Sequence, residues 1–131
     1  IPQTFCHGDL TFTNIIFNKN RLYYIDFLDC FIDSFLCDLI KLKQDLYYHW
    51  SLDVQEVKSL RIRQIYSFLW RKLEKRYYKY VDTIEFNVLD ILNTLRLEPY
   101  LTNEDQRIII KRMLKCSSLY GNVSCSDGGK V

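Results

Sequence analysis

Along the first quarter of the chain the apolar residues come in short runs, not at helical spacing. Residues 4–6, 14–17 and 21–27 are rich in Ile, Phe and Tyr, types that suit a pleated, half-buried backbone. Asn18, Lys19 and Asn20 separate the second run from the third, and Asn tolerates the left-handed backbone of a tight turn. The pattern predicts a β-hairpin over residues 14–27 with a short leading strand at 4–6. From residue 37 the period changes. Leu39, Leu42, Leu46, Tyr47 and Trp50 recur at helical spacing, and Asp38 stands near the start, where a carboxylate suits the positive end of a helix. Asp53 reads as the N-cap of a long segment over 54–81. Within that segment Tyr66, Leu69, Trp70, Leu73, Tyr77, Tyr80 and Val81 line one face, whereas Val54, Val57, Ile65 and Phe68 mark another. A kink, or burial on two sides, is expected there. A third helix is expected over 83–97, halted before Pro99. A fourth is expected over 104–116, behind a capping region at 102–105. Residues 117–131, rich in Ser, Gly and Asn, read as a flexible tail. The expected fold class is therefore α+β and mostly helical, with one domain over residues 1–116.

Composition narrows the class. The chain has 131 residues, 48% hydrophobic and 26% charged, which fits one soluble globular domain with a real core. Four Gly and two Pro beside 15% aromatics favour helices over a turn-rich all-β fold. The net charge of +2 is too near neutral to point to nucleic acid or a membrane surface. No apolar run approaches the roughly 18 residues of a membrane span, and no signal peptide is visible. A cytoplasmic location is expected. The five cysteines, Cys6, Cys30, Cys37, Cys116 and Cys125, form no C-x-x-C pair, so reduced thiols are expected before a disulfide framework. Cys6, His7, Cys30 and Cys37 match no common zinc spacing. Lys58, Arg61, Arg63, Arg71, Lys72, Lys75, Arg76 and Lys79 interleave with tyrosines. In 66–81 the basic residues lie opposite the apolar stripe, so a solvated helix face is expected and a nucleic-acid partner is not.

The chemistry is concentrated in His7-Gly8-Asp9-Leu10-Thr11-Phe12-Thr13-Asn14, followed by Ile25-Asp26-Phe27. Asp9 is a candidate base that could take a proton from an attacking hydroxyl. Asn14 and Asp26 are hard oxygen ligands of the kind that hold Mg²⁺. A hairpin between them would return Asp26 to the side of Asn14. Phosphoryl transfer needs this set: a positioned base, a metal and little covalent work. Asp29 and Asp33 follow closely and read as solvated loop residues, and Cys6 and Cys30 as small buried apolar groups.

The order His-x-Asp, then Asn five residues after the Asp, then a hydrophobic strand ending in Asp-Phe resembles the catalytic and metal-binding loops of protein kinases. The His-Gly-Asp form, with no Lys two residues after the Asp, is similar to the aminoglycoside phosphotransferase and choline kinase-like family. Asp38-Leu39 resembles that family's Asp-Leu at the start of the next helix. The resemblance covers residues 5–42. It implies the mostly helical C-terminal lobe of a protein kinase-like fold. It also implies ATP- and Mg²⁺-dependent transfer of the γ-phosphoryl group to the hydroxyl of a small molecule. Asp9 would be the catalytic base, and Asn14 and Asp26 the metal ligands. His7 and Phe27 would support the loop by packing together, and Asp38 would brace it as a helix cap. Leu28 stands where a kinase loop has Gly, and neither a glycine-rich phosphate loop nor an upstream Lys–Glu pair occurs in these residues. The nucleotide-gripping lobe is therefore not expected within them, and the fragment alone is expected to be inactive and to self-associate. The alternative reading is an inactive kinase-like module that acts by binding a partner.

Overall fold

A computed structural model describes residues 1–117. It is an α+β structure, mostly helical, with one two-stranded antiparallel hairpin. Strands β1 (Ile15–Asn18) and β2 (Arg21–Tyr24) pair with Ile15 opposite Tyr24 and Asn18 opposite Arg21. Lys19 and Asn20 take the positive φ values, 46° and 63°, that close the turn. The hairpin is shorter than its apolar run. Asn14 belongs to a 3-10 turn, Phe12–Asn14, and Asp26 turns left-handed at φ 58°, which ends the extended backbone before residue 27. Residues 4–6 form no strand. Thr4 N–H donates to the Asp33 carbonyl, and the Thr4 hydroxyl accepts from the Phe35 amide, so this run is a loop tied to the next helix.

Helix α1 (Phe35–Leu46) starts two residues earlier than the periodicity suggests, because Ser34 caps it by accepting from the Leu36 amide. Asp38 lies in its first turn and is not the cap. The single long segment expected over 54–81 is two helices, α3 (Leu60–Arg76) and α4 (Tyr78–Val81), and a separate short helix, α2 (Trp50–Val54), ends where it was to begin. Asp53 sits inside α2 and binds Arg63 at 2.5 Å, and Ser59 is the cap of α3. The expected break in the stripe is real, and it falls at residues 55–59 and again at Tyr77. Ile62, Ile65 and Phe68 are 37–51% exposed, so among the described residues α3 is not buried on two sides. Helix α5 (Ile84–Leu95) is capped by Thr83 and followed by a 3-10 turn containing Pro99. Helix α6 (Glu104–Cys116) is capped by Asn103, close to its expected bounds.

α1 is central and packs on both α3 and α5. Leu36, Leu39, Ile40 and Leu46 meet Trp70 and Phe86 in the main core, flanked by Tyr66, Leu69, Leu73, Tyr77 and Val81 of the anticipated stripe. A second cluster joins Tyr48 and Trp50 to Leu97, Ile110 and Met113. A buried polar knot links the helices: one Asp90 carboxylate oxygen accepts from Lys43 Nζ at 2.7 Å, from the Tyr48 hydroxyl at 2.8 Å and from the Ser117 hydroxyl at 2.6 Å. Ser117 is therefore part of the core rather than the first residue of a tail; residues 118–131 lie outside the described residues. Cys6, Cys30 and Cys37 are free thiols, but Cys116 is disulfide-bonded, so reduced thiols do not hold throughout. No helix among the described residues is long and apolar enough to cross a membrane.

Candidate active site

The loop from His7 to Asn14 is held from beneath by one face of α1. Asp38 accepts from the His7 amide at 2.7 Å and the Gly8 amide at 3.0 Å. Lys41, three residues on, places its ammonium 2.9 Å from Asp9. Asp45, a further turn along, accepts from the Phe12 amide at 2.7 Å and the Ser51 amide at 3.3 Å. Spacings of three and seven residues fall on one side of a helix, so three charged side chains meet successive points of the loop. Burial holds the Asp45 carboxyl above its ordinary range despite its two amide donors.

The Gly8 backbone explains the Gly. Its φ is +85°, and a Cβ there would stand 2.0 Å from the Leu28 carbonyl oxygen. That contact exists because the Leu28 amide donates to the His7 carbonyl at 3.0 Å. The His7 ring is buried and stacks on Phe27, with centroids 4.2 Å apart. Its Nδ1 accepts from the Asp9 amide at 3.3 Å, whereas Nε2 is buried without a protein partner.

Asp9 and Asn14 meet directly. The Asn14 amide nitrogen donates to the Asp9 carbonyl at 2.9 Å and to the Asp9 carboxylate at 3.2 Å, which fixes the amide orientation and leaves its oxygen free. The Asn14 carbonyl accepts from the Ile25 amide at 3.1 Å. With Leu28 bonded to His7, the segment carrying Asp26 is thereby strung between the two ends of the Asp9 loop. The Asp26 side chain is exposed and makes no hydrogen bond or ion pair among the described residues. Asp29 and Asp33 are exposed as well. Among the described residues no group of three or more His, Cys, Asp or Glu side chains is arranged to hold a metal. An Asn oxygen and an Asp carboxylate are nevertheless a fitting hard donor pair for Mg²⁺, which completes its shell with water and phosphate oxygens.

Two groups at the site, Lys41 and Arg96, carried no signal that the motif could supply. Lys41 is 5% exposed. Arg96, at the C-terminal end of α5, brings a guanidinium 3.9 Å from the same Asp9 oxygen. Cys6, Cys30 and Cys37 gather behind the loop, where burial and a hydrogen bond with Cys6 push the Cys30 thiol up to about 12.

The profile of the Phosphotransferase enzyme family matches residues 1–75. No curated protein and no solved structure matches the chain.

Proposed function

This chain belongs to the Phosphotransferase enzyme family, and from that premise we propose that it presents the base and the metal-side ligands of an ATP-dependent kinase acting on a small-molecule hydroxyl. The fold in this reading is the helical lobe of a protein kinase-like architecture. The observation that carries it is the clasp of Asn14 on Asp9, with Ile25 bonded back to Asn14. It supports a reading in which Asp9 is the positioned carboxylate and Asn14 and Asp26 are the oxygen ligands.

Asp9 Oδ2 accepts from Asn14 and Oδ1 faces Lys41, so the carboxylate has one orientation in which to meet an acceptor hydroxyl. It orients that hydroxyl and takes its proton as the oxygen attacks the γ-phosphorus. Asn14 Oδ1 and the Asp26 carboxylate would hold Mg²⁺, which when bound neutralises charge on the phosphates. His7, stacked on Phe27, and Asp38, bonded to two amides, keep the loop from swinging. Leu28, bonded to His7, ties down the far side where a kinase loop would carry Gly.

The test is a pair of variants in the full-length protein. Asp9→Asn should lower turnover by about 10² to 10⁴ with little change in ATP affinity. Asp26→Ala should weaken Mg²⁺-dependent nucleotide binding as well as turnover. Equal losses of ATP affinity from both changes would remove the division of roles.

A further inference from the structure

We propose that Lys41 is a catalytic cation of this site, taking a γ-phosphoryl oxygen on its ammonium while it pairs with Asp9. The inference rests on the phosphotransferase reading of Asp9 and adds the group that neutralises the moving phosphoryl.

An ammonium carries three N–H donors, and taking one out of water is costly unless they are satisfied. Lys41 is 5% exposed, yet its one acceptor among the described residues is Asp9 Oδ1 at 2.9 Å. The other buried lysine of the same helix is different in kind. Lys43 binds Asp90 at 2.7 Å and is ringed by Tyr47, Tyr48 and Phe86, each centroid within 5.7 Å. Both lysines are buried, but Lys43 faces a carboxylate and three ring faces, whereas Lys41 keeps spare donors at the carboxylate where an acceptor hydroxyl would be deprotonated.

Position supplies the second strand. The motif has Thr11, not a cation, two residues after Asp9. Its loop therefore brings no positive charge of its own to the phosphoryl group. α1 brings that charge from beneath. Arg96, 54% exposed at the side chain and 3.9 Å from the same oxygen, adds a second and more hydrated cation at the rim. Lys41 and Arg96 thus set two cations within 4 Å of the one carboxylate that would meet the acceptor, where a transferring phosphoryl group develops its charge.

The step balances as follows. The acceptor oxygen forms a bond to the γ-phosphorus of the nucleoside triphosphate, and its proton passes to Asp9. The bond from that phosphorus to the bridging oxygen breaks, and the electron pair leaves with the nucleoside diphosphate. Lys41 keeps its proton throughout and donates to a non-bridging oxygen as charge spreads over the equatorial oxygens.

The experiment compares Lys41→Met, Lys41→Arg and Asp9→Asn in the full-length protein. Lys41→Met should lower kcat by about 10² to 10³, the range for removing one donor from a developing oxyanion, with KM for ATP within a few-fold of the parent. Lys41→Arg, which keeps the charge, should recover part of the loss. Calorimetry supplies a readout without turnover: the parent should bind Mg·ADP with aluminium fluoride more tightly than Mg·ADP alone, and Lys41→Met should lose most of that preference. If Lys41→Met keeps kcat within about threefold while Asp9→Asn is inactive, Lys41 is a structural partner and the inference is overturned. An active Asp9→Asn enzyme would instead overturn the reading of Asp9 itself. If Lys41→Met fails to fold, Lys41→Arg decides: parental preference for the fluoride complex at a lowered kcat would count against a phosphoryl contact.

Discussion

Gly8 shows how little freedom a single position in the loop has. A side chain there meets both an unfavourable φ and the Leu28 carbonyl. Gly8→Ala should cost about 1–3 kcal/mol from the backbone alone, and more from the clash, read as a lowered thermal midpoint. His49 makes a second prediction. It holds φ 61°, bonds the Ser67 hydroxyl, and lies near Arg63 and Arg112. Burial, then Arg63, keeps its imidazole below the ordinary 6.5. The unfolded chain therefore takes up the proton first, so stability is full above about pH 6.5 and falls as pH drops below it, until the folded imidazole also protonates. His49→Asn tolerates the left-handed backbone and should flatten that part of the stability profile in melts between about pH 7.5 and 5.5. Of the motif residues, Asp9 and Asn14 were legible as neighbours because their spacing lies within one loop. Lys41 was not, because a lysine in an amphipathic helix ordinarily reads as solvated.

Among the elements, α1 is where sequence reading was both most and least informative. Its apolar spacing gave its existence. Its start lies earlier than expected because Leu36, three residues before Leu39, belongs to the same buried face, and Ser34 just ahead of Phe35 is the cap. The cap role expected of Asp38 is filled by Ser34, and Asp38 is spent on the loop. Asp38→Ala should leave two partly buried amides without their acceptor, at about 1–3 kcal/mol for each group so orphaned. Hydrogen exchange at His7 and Gly8 should then rise while that of α5 and α6 stays unchanged. The split of 54–81 was half visible. The apolar stripe did shift, but the break needs Glu56 at φ 56°, and nothing in a Glu announces a left-handed backbone. The 4–6 run shows the opposite error: strand-forming residue types do not make a strand where the Thr4 amide bonds Asp33 and the Thr4 hydroxyl bonds Phe35.

At the scale of the molecule, the apolar residues of the hairpin and its flanks are exposed among the described residues. Phe5 and Phe31 are fully exposed, and Phe17 and Phe27 are 69% and 66% exposed. Surface of this extent favours association. Residues 1–131 alone should therefore sediment as concentration-dependent oligomers and show negligible Mg·ATP affinity by calorimetry, because a phosphate clamp needs groups on two sides. Tight ATP binding by these residues would mean that their helices hold a nucleotide surface of their own. The three-point grip of α1 on the loop has a mechanical corollary. Asp38, Lys41 and Asp45 bind the loop at successive places, and α1 is itself wedged between α3 and α5. No hinge can run between loop and helix without breaking all three attachments together. In the proposed reading, a closing motion that brings phosphates to Asp9 would therefore carry loop and α1 as one rigid jaw, with its pivot outside them. One extra residue inserted between 38 and 45 would turn the later attachments about 100° away from the loop and uncouple that jaw, even if every motif residue were kept.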